Sequence, residues 1–176
     1  MSRLKFADQL AGGDRRSIGR SNEIVSRVLR EPRQFPQLIK CLWSDNPIVR
    51  MRAADAIEKI SLQKPEWLKR YKAELLGLLE EAQQQELRWH LAALIPRLPL
   101  SKSEIVRAEV VFRRYLSDRS SIVKTFALQG LADLAQLEPA LRESTKTLIE
   151  DAARTGTAAM KARARKLVRT MEKLEH

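Results

Sequence analysis

The chain has 176 residues, 44% of them hydrophobic, which allows a sizeable core and excludes a disordered tail. One cysteine, Cys41, and two histidines, His90 and His176, exclude an internal disulfide and a cysteine–histidine metal cluster. A formal net charge of +11 favours acidic partners such as nucleic acid, an anionic lipid surface or an acidic protein, with solubility as the plain alternative.

Residues 1–20 read as an N-terminal arm, in which "RLKFADQLA" predicts a short helix before the "GGD" break. Asp8 interrupts the apolar residues here, so the arm is no signal peptide, and no later stretch approaches the roughly 18 apolar residues of a membrane span. "RSNEIVSRVLRE" predicts a second helix, capped by Ser21 or Asn22, that covers the apolar end of the helices beyond it. Residues 1–34 hold 8 basic and 4 acidic groups, and residues 154–176 hold 7 and 2, so most of the excess charge lies at the two ends.

From residue 32 onward the chain repeats. "IVRMRAADAIEKI" (48–60) aligns without gaps on "ELRWHLAALIPRL" (86–98), "IVKTFALQGLADL" (122–134) and "AMKARARKLVRTM" (159–171). The third residue is a cation each time: Arg50, Arg88, Lys124 and Lys161. Before it stands Val49, Leu87, Val123 or Met160; seven residues after it, Ile57, Ile95, Leu131 or Val168; ten after it, Ile60, Leu98, Leu134 or Met171. Each copy is preceded by a shorter helical pattern: "FPQLIKCLW", "AELLGLLEE", "EVVFRRYLS" and "TKTLIEDAA". The unit is therefore a helix A, a turn and a helix B, and a fixed period in the thirties marks a helical repeat array. Turn chemistry agrees: "SDNP" supplies a cap and a first-turn proline, while "SDRSS" and "TGT" supply Ser, Asp, Thr and Gly. Pro65, Pro99 and Pro139 punctuate the units.

With Asp in the turn, Val-Arg and then alanines, "DNPIVRMRAADAI" resembles a HEAT repeat, and "DRSSIVKTFALQGLADL" keeps Asp118 and Lys124 of the same pattern. The resemblance spans about residues 32–173 and is weaker where Gln83 and Gly156 replace the aspartate. It implies an α-solenoid, usually a non-catalytic scaffold, and leaves the partner open.

On a helical wheel the repeated cation lies about 40° from the centre of the apolar arc. Asp45, Arg50, Arg88, Asp118, Lys124 and Lys161 are thus expected to form a structural ladder, in which the cations bond turn carboxylates and helix-end carbonyls. A row of phosphate-binding cations is the lesser reading. The opposite side of helix B carries Met51, Arg52, Asp55 and Lys59 in the first unit, Trp89, His90, Ala93 and Arg97 in the second, Thr125, Phe126, Gln129 and Asp133 in the third, and Ala162, Arg163, Lys166 and Thr170 in the fourth. In an α-solenoid this side is the concave surface. Arg52, Trp89, His90, Arg97, Phe126, Arg163, Lys166 and Arg169 are therefore the expected partner-binding residues, because an exposed aromatic beside cations is a binding platform. Packing of Trp89 and Phe126 against neighbouring helices is the competing reading. Trp43, Trp67, Tyr71 and Tyr115 lie on helix A patterns and read as core or outer-groove residues.

No Ser/His/Asp or Cys/His arrangement and no phosphate loop is readable. Some HEAT-like solenoids are alkylpurine DNA glycosylases; Asp55, Trp89 and Arg52 could be cast in their roles, but no motif of that family matches. The expectation is an all-α α-solenoid of about four helical-hairpin repeats (32–64, 65–98, 99–137, 138–173) in one domain over 21–173, with "LEH" (174–176) as a vector-derived tail. Its expected role is a cytoplasmic, non-catalytic scaffold without cofactor or metal that binds a protein or peptide. Nucleic-acid binding is the alternative, and the oligomeric state is left open.

Overall fold

Apolar residues spaced three and four apart, with few glycines and prolines inside the runs, favour helices joined by short turns. The computed structural model describes residues 6–12 and 17–174, and these form ten α-helices and short 3-10 turns without a strand. The chain packs as two compact units that divide between Leu68 and Lys69.

The first unit holds α1 (Phe6–Ala11), α2 (Ser21–Arg30), α3 (Phe35–Lys40) and α4 (Pro47–Gln63). α3 and α4 form a helical hairpin, with a 3-10 turn, Cys41–Trp43, closing α3. Asn46 caps α4 by accepting from the Ile48 amide at 2.9 Å, and Pro47 takes the first helical position, where its missing N–H costs nothing. α2 lays Ile24, Val25 and Val28 against α4. Neither expected cap of α2 acts as one. Ser21 is already helical and its hydroxyl donates to the Asp55 carboxylate, while Asn22 Oδ1 accepts from Lys59 Nζ at 2.8 Å. Trp67 packs on Phe35 with ring centroids 5.6 Å apart; Trp43 is 48% exposed, so it is not a core residue.

The second unit holds three hairpins: α5 (Lys72–Glu81) with α6 (Gln85–Leu94), α7 (Lys102–Tyr115) with α8 (Ser121–Leu137), and α9 (Arg142–Thr155) with α10 (Ala158–Glu172). α6, α8 and α10 pack in series, and α5 packs on α7. Ser101 and Glu104 form a reciprocal capping box on α7, Ser120 caps α8 and Thr157 caps α10. Gly130 of α8 lets the helices close: a Cβ there would stand 2.7 Å from the Phe112 ring and 3.1 Å from the Ala92 carbonyl oxygen. Pro96 ends α6 early, in the 3-10 turn Ile95–Arg97.

The repeated apolar positions are the core. Val49, Leu87, Val123 and Met160 are buried, as are Ile57, Ile95 and Leu131, and Ile60, Leu98, Leu134 and Met171; only Val168 of the last hairpin is half-buried. At about 25 cal/mol per Å² of apolar area removed from water, this set is the main source of stability in each unit.

Candidate functional site

The ladder cations all begin at the same helical position and end differently. Arg50 turns back to the backbone, donating to the carbonyl of Ser44 at 2.7 Å and of Asp45 at 3.3 Å; the Asp45 carboxylate, its expected partner, stays exposed. Arg88 donates to the Ala82 carbonyl at 2.7 Å and to Gln83 Oε1 at 3.2 Å, and pairs with Asp118 at 2.5 Å, while its guanidinium lies 5.3 Å from the Tyr115 ring centroid. The arginine of one hairpin thus binds the turn of the next. The C-terminal end of α5 is covered in the same region: Tyr115 Oη donates to the Leu79 carbonyl at 2.6 Å and Arg114 to that of Glu80 at 2.8 Å, so carbonyls that the helix leaves unpaired find donors. Lys124 only adds its charge near Asp118, and no hydrogen bond joins the Lys124 or Lys161 ammonium to another described residue. A planar fork of donors can hold two acceptors at once; an ammonium on a flexible stem cannot match that geometry. The staple role therefore belongs to the two arginines.

Arg52 is not part of an open face. It is fully buried, and its guanidinium donates to the carbonyls of Leu10 at 2.6 Å, Ser17 at 3.1 Å and Gly12. Asp55 is buried with it, held by Ser21 and by Lys59 at 2.6 Å. Arg52, the expected binding residue of α4, and Asp55 beside it are thus engaged by the chain's own segment ahead of the hairpin. Gly19, at φ +53°, sits where a Cβ would come 2.7 Å from Arg52 Cζ, so both its conformation and its lack of a side chain are used.

The remaining expected binding residues lie in the second unit. Trp89 and His90 are half-buried neighbours on α6, with rings 5.6 Å apart and tilted by 54°. Phe126 of α8 is half-buried. Arg97 stands in the 3-10 turn after α6, so its wheel angle does not apply, and it is half-buried. Arg163 of α10 donates to Gln129 Oε1 at 2.9 Å, and Gln129 Nε2 donates to Asp133 Oδ1 at 2.8 Å. Lys166 and Arg169 are exposed.

Asp133, absent from the binding residues expected from sequence, is the electrostatic centre of this side. Burial pushes its carboxyl above the usual range, against the pull of the Gln129 hydrogen bond and of the Arg97 and Arg163 charges. A raised folded pKa means that the group adds stability at low pH, and that this is lost as pH rises through the folded value. Asp133→Asn keeps an acceptor for Gln129 and removes the desolvated charge. The variant is expected to melt at the same temperature as wild type or higher at neutral pH, with a smaller advantage in acid. A neutral-pH melting temperature several degrees lower would show that the ionised carboxylate is needed.

Reactive chemistry is sparse. The Cys41 thiol is pushed up to about 11 by burial, which keeps it protonated and poorly nucleophilic at neutral pH. Among the described residues no three His, Cys, Asp or Glu side chains come together as a metal set, and no helix is long and apolar enough to cross a membrane.

The family model described as HEAT repeat domain matches residues 8–171. The chain belongs to the HEAT repeat family. That match includes most of α1 and all of α2, so the helices ahead of the first hairpin lie inside the family region. No curated protein and no solved structure matches the chain. HEAT repeats generally mediate protein interactions, and proteins built from them are typically non-catalytic scaffolds; the all-α hairpins of this chain fit that class.

Proposed function

We propose that this HEAT-repeat chain is a non-catalytic scaffold that binds a protein or peptide on the α6–α8–α10 side of its second unit. The carrying observation is the mixed character of that side. Trp89, His90 and Phe126 are half-buried on α6 and α8, and on α8 Asp133 feels the opposite charges of Arg97 and Arg163. A nucleic-acid groove would present an uninterrupted basic stripe, whereas protein interfaces centre on aromatic and arginine anchors inside a mixed polar rim. Trp89, His90, Phe126, Arg97 and Arg163 are the contact residues in this reading, with Asp133 setting the orientation of a basic or hydrogen-bonding group on the partner. The single, buried Cys41 suits a reducing compartment such as the cytoplasm.

The test is affinity capture from a native extract with and without nuclease, repeated with Trp89→Ala. A nuclease-resistant protein partner is expected, and Trp89→Ala is expected to weaken its binding tenfold or more, by about 2 kcal/mol as for an aromatic hot spot. Helical content should be unchanged and the melting temperature little affected. A stability loss of about 3–5 kcal/mol would make Trp89 a core residue, and loss of the partner on nuclease treatment would overturn the protein reading.

A further inference from the structure

Several cations of the second unit are neutralised within the fold: Arg88 pairs with Asp118, Lys72 with Glu104, Arg107 with Glu80, Arg113 with Glu109 and Arg154 with Asp151. α10 does not follow this pattern. Between Ala158 and Met171 it carries Lys161, Arg163, Arg165, Lys166 and Arg169 and no acidic residue. Met160, Ala164, Leu167 and Met171 face the core, which leaves Ala158, Ala159, Ala162, Arg165, Lys166 and Arg169 exposed on the other side, all but the three alanines being long cations. Arg163 is drawn to Gln129, but Arg165, Lys166 and Arg169 have no ion pair or hydrogen bond from their side chains among the described residues. Arg165 and Arg169 are one helical turn apart, as are Lys161 and Arg165, and like charges at this spacing destabilise a helix. An arrangement that breaks a local rule without a partner in the fold points to a ligand.

We infer that the outer face of α10 binds the phosphate backbone of a nucleic-acid duplex through Arg165, Lys166 and Arg169. The helix rise sets Arg165 and Arg169 about 6 Å apart along the axis, so neighbouring phosphates can be met at once. The small alanines on this face let a backbone approach closely. The face has no aromatic on which an unpaired base could stack, which favours a duplex over a single strand. It has no large apolar side chain to enter a bilayer, which sets it apart from an interfacial membrane helix. A second copy of the same face would bring like charges together. With no side chain placed to read base edges, binding is sequence-independent. The inference is independent of the protein-binding face, since Trp89 and Phe126 take no part in it.

Fluorescence anisotropy with a short mixed-sequence duplex, in DNA and in RNA, tests it. Three phosphate contacts give a slope of log affinity on log salt of about −2.7, hence about 40-fold weaker binding at about 200 mM salt than at about 50 mM. The triple variant Arg165→Gln, Lys166→Gln, Arg169→Gln is expected to lose this slope, to bind at least tenfold more weakly at low salt and to melt no lower than wild type. A variant with the same charge loss elsewhere on exposed positions, Lys40→Gln, Lys69→Gln, Arg119→Gln, is expected to keep both slope and most of the affinity. Equal losses in the two variants would reduce the effect to net charge and overturn the inference. So would absence of duplex binding at low salt, or tighter binding of phosphatidylserine vesicles or polyglutamate than of either duplex.

Discussion

Arg52→Ala is expected to be the most damaging single change in the first unit, at about 3–5 kcal/mol. The Arg52 guanidinium satisfies the carbonyls of Leu10 in α1, of Gly12 just past its end and of Ser17 ahead of α2. Truncation leaves the buried Leu10 carbonyl without a donor, at about 1–3 kcal/mol for a buried group left unmet, and opens a cavity of several heavy atoms beside Leu10, while the carbonyls of the exposed Gly12 and Ser17 lose the donor that ties them to α4. Arg52→Lys is expected to recover less than half of the loss, because one ammonium cannot fan across three acceptors. Denaturant melts measure the loss, and limited proteolysis locates it: cleavage should accelerate within residues 6–22 before it does in the second unit. An Arg52→Ala protein that melts within a degree of wild type would show that the buried fan contributes little, and would return Arg52 to the contact residues.

Arg52 also shows where sequence reading ends. The periodic core was legible because every helix B repeats the same apolar offsets, and those offsets follow from 3.6 residues per turn. The turns were legible for the same local reason, since Asn46, Ser120 and Thr157 cap the helices that their positions predict. A wheel, however, describes one helix against one core. It assigns Arg52 and Asp55 to an open side because it has no knowledge of a chain segment returning from 35 and 34 residues away, as Ser17 and Ser21 do. Phe6 and Leu10, both buried, were the available signal: an arm with its own apolar stripe needs a surface to cover. Pro96 was likewise the signal that Arg97 leaves the α-helical wheel. Asp133 falls on the binding side of α8 by its wheel angle, but burial of a carboxylate near Arg97 and Arg163 depends on three helices whose spacing no single segment encodes.

In the second unit the largest polar effect is expected from Arg88→Ala, at about 2–4 kcal/mol, with a pH signature that a packing loss would not give. Arg88 joins the end of α5, through the Ala82 carbonyl, to the turn that opens α8, through Asp118, and covers Tyr115 between them. Removing it strands a mostly buried carboxylate, which costs more than the pair contributes when intact. In the wild type, burial acts to raise the Asp118 carboxyl, but the Ser120 amide at 2.7 Å and the Arg88 and Lys124 charges outweigh it and hold the group below the usual carboxylate range. A depressed folded pKa contributes stability that is present above the unfolded value and lost as pH falls through the folded one. Wild-type stability should therefore decline on acidification below about pH 4, where Asp residues of the unfolded chain take up protons. Glu104, lowered chiefly by its hydrogen bond to Lys72, acts in the same window, so the decline is shared and the comparison must be made with Asp118→Asn. Stability of Asp118→Asn at neutral pH should lie below wild type, and the two curves should converge in acid. Arg88→Ala should show a weaker acid dependence than wild type, because a carboxylate without its guanidinium is no longer held low. Double-mutant cycles at neutral pH and again near pH 3 would measure the coupling directly. A coupling near zero already at neutral pH would mean that Arg88 acts through Tyr115 and the α5 carbonyls alone, and that Asp118 is a bystander in the staple.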